Sequence, residues 1–420
     1  MKIFRNLNSI LPIFGVLIVI CCISCQKDCT ETFVWNEYQP IWVGEDSIHV
    51  PIQTEAPREI QKPGKIYWYP PYLLINEKEE GLHIIDNSDP SNPTAISFLK
   101  VKGNRDMAVL NNILYADSYF DLISIDISDV HNITETHRVE MFRAPDYYDP
   151  SLQSFIVDYE IIPHEEEVPC GQNSWFGGGR DIDIALDQAA GNNAESNGNA
   201  GTGGSLARFT IAQEHLYIVD EYGMMIFDLS KLNEPEFTNR VDLGWGIETI
   251  FPYVDNLFIG ANNGMHILDA SDPSNPQYLS TFAHANACDP VFVRNGLAYI
   301  TLRDGTECET YTNQLDIVDI EDLTNPKLLV SHPMDNPHGL FVTDENLFLC
   351  EGEFGFKVFD SRDIYDISKK LLDQIPNLHS YDVIALNSKL LMVIGDDGFY
   401  QFALNQNDKL EELSRLAVYN

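Results

Sequence analysis

Apolar residues along this chain fall in short runs, and most runs end at a cluster of Asp, Ser, Asn, Gly or Pro. Runs such as 225–227 (MIF) and 315–318 (LDIV) lead into aspartates at Asp86, Asp126, Asp228, Asp269, Asp319 and Asp360. Short segments rich in Ile, Val and Phe suit strands buried on one or both faces. Behind the aspartate the chain turns polar, most fully in 82–93 (LHIIDNSDPSNP) and 265–276 (MHILDASDPSNP). Asp and Ser side chains bond nearby backbone N–H groups and proline presets φ, so each cluster reads as a turn that ends a strand. A further run follows, as in 95–99 (AISFL) and 277–282 (QYLSTF). Two more runs precede the aspartate, joined by Asn, Asp or Gly: 105–110 then 113–117, the stretch 291–300 (VFVRNGLAYI), and 340–349 (LFVTDENLFL). Strand, tight turn, strand is a hairpin pattern. Each unit therefore predicts four antiparallel strands, a to d, with the aspartate closing strand c.

Successive aspartates stand 40, 102, 41, 50 and 41 residues apart, and a seventh unit at 399–403 (FYQFA) lacks the aspartate. A β-rich unit recurring at about forty residues is the pattern of a propeller, one unit per blade. The expectation is an all-β fold: a seven-bladed β-propeller of four-stranded antiparallel blades over residues 61–420. The long gap holds one period plus an insertion, placed at 143–205 between strand d of blade 2 and strand a of blade 3. It opens with Tyr147, Tyr148, Phe155 and Tyr159 and ends in a Gly/Asn-rich arm. Its first part is expected to fold over the nearby mouth of the propeller, with 192–204 mobile.

The strings 216–220 (LYIVD) and 315–319 (LDIVD), inside a recurring Gly–apolar–x–apolar–apolar–Asp–x–Ser–Asp–Pro–x–x–Pro pattern, resemble the LVIVD-repeat family of bacterial extracytoplasmic propellers. The resemblance covers about residues 60 to 420 apart from the insertion. It implies a fold and an address, not an activity.

The chain's beginning points the same way. Lys2 and Arg5 precede an apolar run from Ile10 to Ile23, the pattern of a secretion signal over residues 1–24. Cys22-Ile-Ser-Cys25 resembles a lipobox, which makes Cys25 the expected lipidation site, and two or more acyl chains hold a protein stably on a membrane. The adjacent Gln26-Lys-Asp resembles the export tags of surface lipoproteins in Bacteroidetes-type bacteria. The expectation is a cell-envelope lipoprotein, in the outer membrane or at the cell surface. Residues 25–60 have no clean period and read as a tether partly packed on the propeller, through Trp35, Trp42 and 48–52 (IHVPI).

Charge narrows the partners. Lys and Arg total 26 against 64 Asp and Glu, a formal net charge of −38, so nucleic acid is not an expected ligand. Beyond the signal the cysteines are Cys25, Cys29, Cys170, Cys288, Cys308 and Cys350, which lack paired Cys-x-x-Cys spacing, and this argues against zinc. An exported chain meets oxidising surroundings. Cys288 starts the fifth inner strand and Cys308 lies in the same blade's long b–c loop, so a Cys288–Cys308 disulfide is expected.

No hydrolase elbow, zinc-protease helix, phosphate loop or dinucleotide fingerprint stands in context, so no cofactor, metal or catalytic residue is assigned. The run His164-Glu-Glu-Glu167 reads as solvated surface rather than a metal site. One constellation stands out. At the entrance of each inner strand is an ionisable residue: Lys65, Asp106, Arg208, Glu248, Asp289, His338 and Asp382. In a closed propeller these ring one mouth. Either they cap free N–H groups and pair with the next blade's charges, or, with Arg105, Trp245 and Tyr381, they bind a glycan, peptide or protein. The reading is a binding module, the alternatives being a hydrolase or lyase acting on an extracellular polymer through His338 beside a carboxylate, and a structural part of an envelope complex.

Overall fold

The computed structural model describes residues 30–145, 147–169, 202–203, 207–283, 290–303, 313–387, 389–396 and 398–419. The chain divides into two compact units, residues 1–42 with 156–184, and residues 43–155 with 185–420.

The larger unit is a seven-bladed β-propeller. Its blades span residues 63–100, 107–139, 209–242, 247–283, 291–333, 340–375 and 380–417, each with four antiparallel strands in sequence order. The aspartates predicted to end strand c do so by a local bond. Asp86, Asp126, Asp228 and Asp269 accept the backbone N–H two residues on at 2.6–2.8 Å, and Asp319 and Asp360 do so at 2.9 and 3.0 Å. In blades 1, 2, 4, 5 and 6 a second Asp repeats the device, Asp89 to Ser91, Asp129 to His131, Asp272 to Ser274, Asp322 to Thr324 and Asp363 to Tyr365. These side chains substitute for backbone partners that a strand loses where it turns.

The glycine that opens the motif answers a different constraint. At Gly81, Gly264, Gly355 and Gly398 the backbone has φ between +97° and +156°, and a Cβ would lie 2.1–2.4 Å from a carbonyl oxygen of strand d. Only glycine fits there without displacing the outer strand. Blade 2 has Asp121 at this position instead, and uses it to anchor the chain that precedes blade 1. The buried Asp121 carboxylate meets His49 Nδ1 at 2.7 Å and Arg138 Nη1 at 2.8 Å, while Arg138 Nη2 donates to Val50 O. Ile48 is fully buried.

Apolar faces join blade to blade. One cluster runs through blades 1 to 3, a second through 3 and 4, a third through 4 to 6 and a fourth through 6 and 7. The fifth closes the ring, packing Ile66, Leu73 and Ile75 of blade 1 with Ile384, Met392 and Phe399 of blade 7. A parallel bridge between Ile60 and Val418 and a reciprocal amide pair, Asn87 with Gln401 at 2.8 and 3.0 Å, seal the same seam. Blade 1 is widened at both edges. Gln53–Glu55 pairs with its outer strand Thr94–Lys100, and Thr202–Gly203, at the end of the insertion, pairs with its inner strand Pro63–Tyr69.

In the smaller unit, residues read as a tether form a long strand. Thr30–Gly44 is hydrogen-bonded along Ser154–Pro169 from the insertion, and Trp35 stacks on His164 with ring centroids 4.2 Å apart. His164 Nε2 lies 2.8 Å from Glu37 Oε2. Both segments are rich in aromatic and β-branched residues. A proline and mixed charges break their alternation, and the pairing partner is more than a hundred residues away, so neither reads as a strand alone.

Candidate functional site

Strands a of successive blades contact one another around the ring, so their first residues gather at one end. The d–a and b–c loops lie at that same end. Of the seven ionisable residues expected there, Lys65, Asp106 and Arg208 form one connected chain across blades 1, 2 and 3. Lys65 Nζ lies 2.7 Å from Asp106 Oδ2, with both side chains almost wholly buried. The same Oδ2 accepts the backbone N–H groups of Arg208 and Phe209 at 2.8 and 3.0 Å, and Oδ1 accepts that of Met107. Asp106 thus fastens two blades to its own, pairing with one neighbour's cation and capping the other's strand entrance. Its geometry supports the structural reading of this position.

Asp382 is fully buried and packs so closely on Gly339 that a Cβ there would lie 1.9 Å from Oδ1. Glu248 is half-buried in the inner strand Ile247–Tyr253 of blade 4. Asp289 lies outside the described residues, as do Cys288, Cys308 and Cys25. Cys350 is a buried free thiol whose pKa burial raises well above its ordinary value.

His338 was read beside a carboxylate. Its described side-chain partner is instead a cation: Arg303 Nη1 donates to His338 Nδ1 at 2.7 Å. Burial, then the charge of Arg303, holds the imidazole down to about 3. A histidine neutral throughout the physiological range cannot act as a general acid there, and its basicity is too low for an efficient general base. Tyr381 stands edge-on to it at 5.5 Å and donates its hydroxyl to Asp396.

Other side chains at this end had not been singled out. Asp117, near the end of strand b in blade 2, accepts the backbone N–H groups of Arg105 and Asp106 at 2.7 and 3.0 Å and Asn104 Nδ2 at 3.0 Å. Burial nevertheless raises its carboxyl to about 6. Arg143, from the start of the insertion, donates to Tyr119 O at 2.9 Å. On blade 6, Lys357 joins the buried Glu351 to the exposed Asp335. Arg143 sits in a stretch without period, and Asp117 ends an apolar run as many turn aspartates do, so neither carries a sequence signal for this role.

Aromatic residues stand out beside the charged groups. Trp245, 47% exposed, sits between Gly244 (φ +98°) and Gly246 (φ +89°). The loop around it is clamped: Leu243 and Gly244 donate to Tyr222 O, and Gly246 and Ile247 to Glu221 O, at 2.9–3.3 Å. Tyr222, in the b–c turn of blade 3, is itself 55% exposed. Left-handed glycines on both sides make the tip a shaped turn rather than a slack one.

The fold and this mouth define a β-propeller with a charged entrance. The LVIVD-repeat profile matches at residues 69–99, 255–283 and 310–332, so the chain fits an LVIVD-repeat family. The matches fall on strands and turns of blades 1, 4 and 5. Comparison with curated proteins gave no match. Among solved structures, the computationally designed Ika8 protein is similar at TM-score 0.52 and 8% identity, over 86% of this chain and 88% of that one. Hsv2 of Kluyveromyces lactis is similar at TM-score 0.47 and 11% identity, over 84% and 98%. PorZ of Porphyromonas gingivalis, a bacterial surface component of the type-IX secretion system, is similar at TM-score 0.47 and 14% identity, over 86% of this chain and 39% of its own. Identities this low speak to fold alone.

Two measurements check the charge assignments. Asp106→Ala strands the Lys65 ammonium in the interior and should cost about 3–5 kcal/mol in urea unfolding, far more than an exposed ion-pair variant such as Arg362→Gln. A loss no larger than that of the control would refute the linking role. Asp117 has a folded pKa near 6 against about 3.9 unfolded, so the native state binds the extra proton between those values. Its unfavourable contribution is complete above pH 6 and fades as pH falls towards 4. Asp117→Asn should therefore compare better with the parent at pH 7 than at pH 5, by about 1 kcal/mol; an equal difference at both would exclude the shift.

Proposed function

We propose that this protein is a lipid-anchored envelope propeller that binds a saccharide ligand at the face formed by its d–a and b–c loops. The observation that carries the reading is the Trp245 loop. A large aromatic ring is held in solvent by two left-handed glycines and four backbone hydrogen bonds, with Tyr222 beside it. Exposing such a surface forfeits its burial energy, and a clamped exposed ring suits a ligand that covers it. Sugar rings present C–H faces that lie on aromatic planes, and their hydroxyls match polar groups at the rim. Of the ionisable residues read at this mouth, Asp106 and Lys65 support the wall rather than meet the ligand. The properties of His338 do not favour the hydrolase or lyase alternative.

Anchorage rests on Cys25 and the charged Gln26-Lys-Asp beside it. Two or more acyl chains on Cys25 would fix the propeller to the envelope, in the outer membrane or at the cell surface.

Binding to a glycan and peptide array tests the site. Retained saccharides should be lost or weakened at least tenfold by Trp245→Ala, with unfolding unchanged. Selective peptide retention, or indifference to Trp245→Ala, would overturn the reading. For the anchor, Cys25→Ala should move the protein from the membrane pellet to the soluble fraction, and continued sedimentation with membranes would count against lipidation.

A further inference from the structure

Each blade is built from four strands consecutive in sequence, so among the described residues no strand is shared between the last blade and the first. The chain's continuity ties every blade to its successor except across that seam. In a row of like sheets each unit is held only by its neighbours, so the closing seam has non-covalent contacts alone to keep it shut. One stretch of chain, residues 48–62, spans this place. It does not enter blade 1 directly. It runs first along blade 2, then along blade 1, and then meets the tail of blade 7.

Three sets of contacts fasten it. At blade 2 the buried Asp121 holds His49, while Arg138 holds both Asp121 and the Val50 carbonyl. Ile52 packs its side chain on the cluster of blades 1 to 3. At blade 1, Gln53–Glu55 pairs with the outer strand, Gln53 opposite Lys100 and Glu55 opposite Phe98. Arg58 Cζ lies 3.6 Å from the centroid of the Phe98 ring, and its guanidinium reaches Glu80 at 3.3 Å. At the seam, Ile60 joins the apolar cluster of blades 7 and 1, bridges Val418, and accepts the Tyr419 N–H at 2.8 Å. Glu77 then accepts the N–H groups of Gln61 and Lys62 at 3.2 and 2.6 Å, and is itself held by the buried His83 at 2.9 Å. Hydrogen bonds to ionised groups are the stronger kind, and a buried carboxylate stands at each end of the stretch.

We propose that residues 48–62 are a clasp that keeps the ring shut and takes up pull on the N-terminal side of the chain. The clasp does for the seam of blades 7 and 1 what a shared strand would do. Fixed to blade 2 at one end and to Val418 and Tyr419 at the other, it bridges two successive seams, and blade 7 leaves blade 1 only by breaking the Ile60 contacts. Load arriving from the N-terminal side meets Asp121 and Arg138 before it meets the first strand of blade 1. Ring closure rests on these contacts alone, while the source of the load rests on the Cys25 anchor proposed above.

Hydrogen exchange of the purified protein tests the closure. Asp121→Asn, at the blade 2 end, and Glu77→Gln, at the seam end, should each speed exchange of the strands Leu410–Ala417 and Pro63–Tyr69 about tenfold, as a local opening does. Exchange of Leu297–Leu302 in blade 5 should stay at the parent rate, and Arg362→Gln should change none of these. In the Asp121→Asn background, a disulfide made by Gln53→Cys with Lys100→Cys, at paired positions, should return Leu410–Ala417 to the parent rate when oxidised and not when reduced. Acceleration confined to residues 48–62, acceleration spread evenly over all seven blades, or a disulfide without effect would each overturn the clasp. Load-bearing is read by pulling between the N-terminus and a handle at Glu321 in blade 5. The parent should yield only as the propeller unfolds, and Asp121→Asn should add an earlier step at lower force. The same single step in both would overturn that part. Both measurements use protein without a membrane, so a failure of the Cys25 anchor would show in sedimentation and leave these outcomes unchanged.

Discussion

Face-to-face packing of neighbouring sheets, carried round until blade 7 meets blade 1, is the constraint on which the rest depends. Each blade is a small sheet with two apolar faces, and no single blade could hide both. In the ring every face finds a partner, and the seam of Ile66, Leu73 and Ile75 against Ile384, Met392 and Phe399 leaves no terminal blade exposed. Closure also sets direction. Once the inner strands converge, their entrances share one rim, and side chains far apart in sequence become neighbours.

That convergence explains why the mouth is rich in ionisable groups without being uniformly a binding surface. Where strands begin, backbone N–H groups lack ladder partners and need acceptors. Asp106 supplies one, and spends its remaining capacity on a buried ammonium from the next blade. A buried pair of this kind adds little net stability, but removing either partner is expensive, so it fixes how adjacent blades meet. His338 follows a related logic: enclosed beside Arg303, it is kept neutral and serves as an acceptor rather than as a titrating group. Charge in the wall of the mouth therefore has a largely architectural part.

Beside the wall is a feature that architecture does not require. Trp245 stands out in water on a turn that two left-handed glycines shape. Its exposed apolar area is an unfavourable term, and a ligand with a flat C–H face would relieve it.

The fold was legible because its signals are local. An aspartate that accepts the N–H two residues ahead, a proline that follows, and a glycine that alone clears the strand d carbonyl are decided by near neighbours, and they recur in register often enough to count blades. Residue 121 shows the limit: its aspartate breaks the glycine pattern, and nothing nearby tells that it will hold His49 and Arg138. The strand Thr30–Gly44 was illegible for the same reason, since its partner Ser154–Pro169 lies in another part of the chain. The sequence by itself determined the strands, their turns, the number of blades and the place of the insertion. Only the tertiary structure decided that Asp106 would meet Lys65, that His338 would face Arg303, and that Arg143 would stand with Arg105 and Arg208. Those pairings depend on the angle and register at which closed blades abut, and no short stretch of chain encodes that geometry.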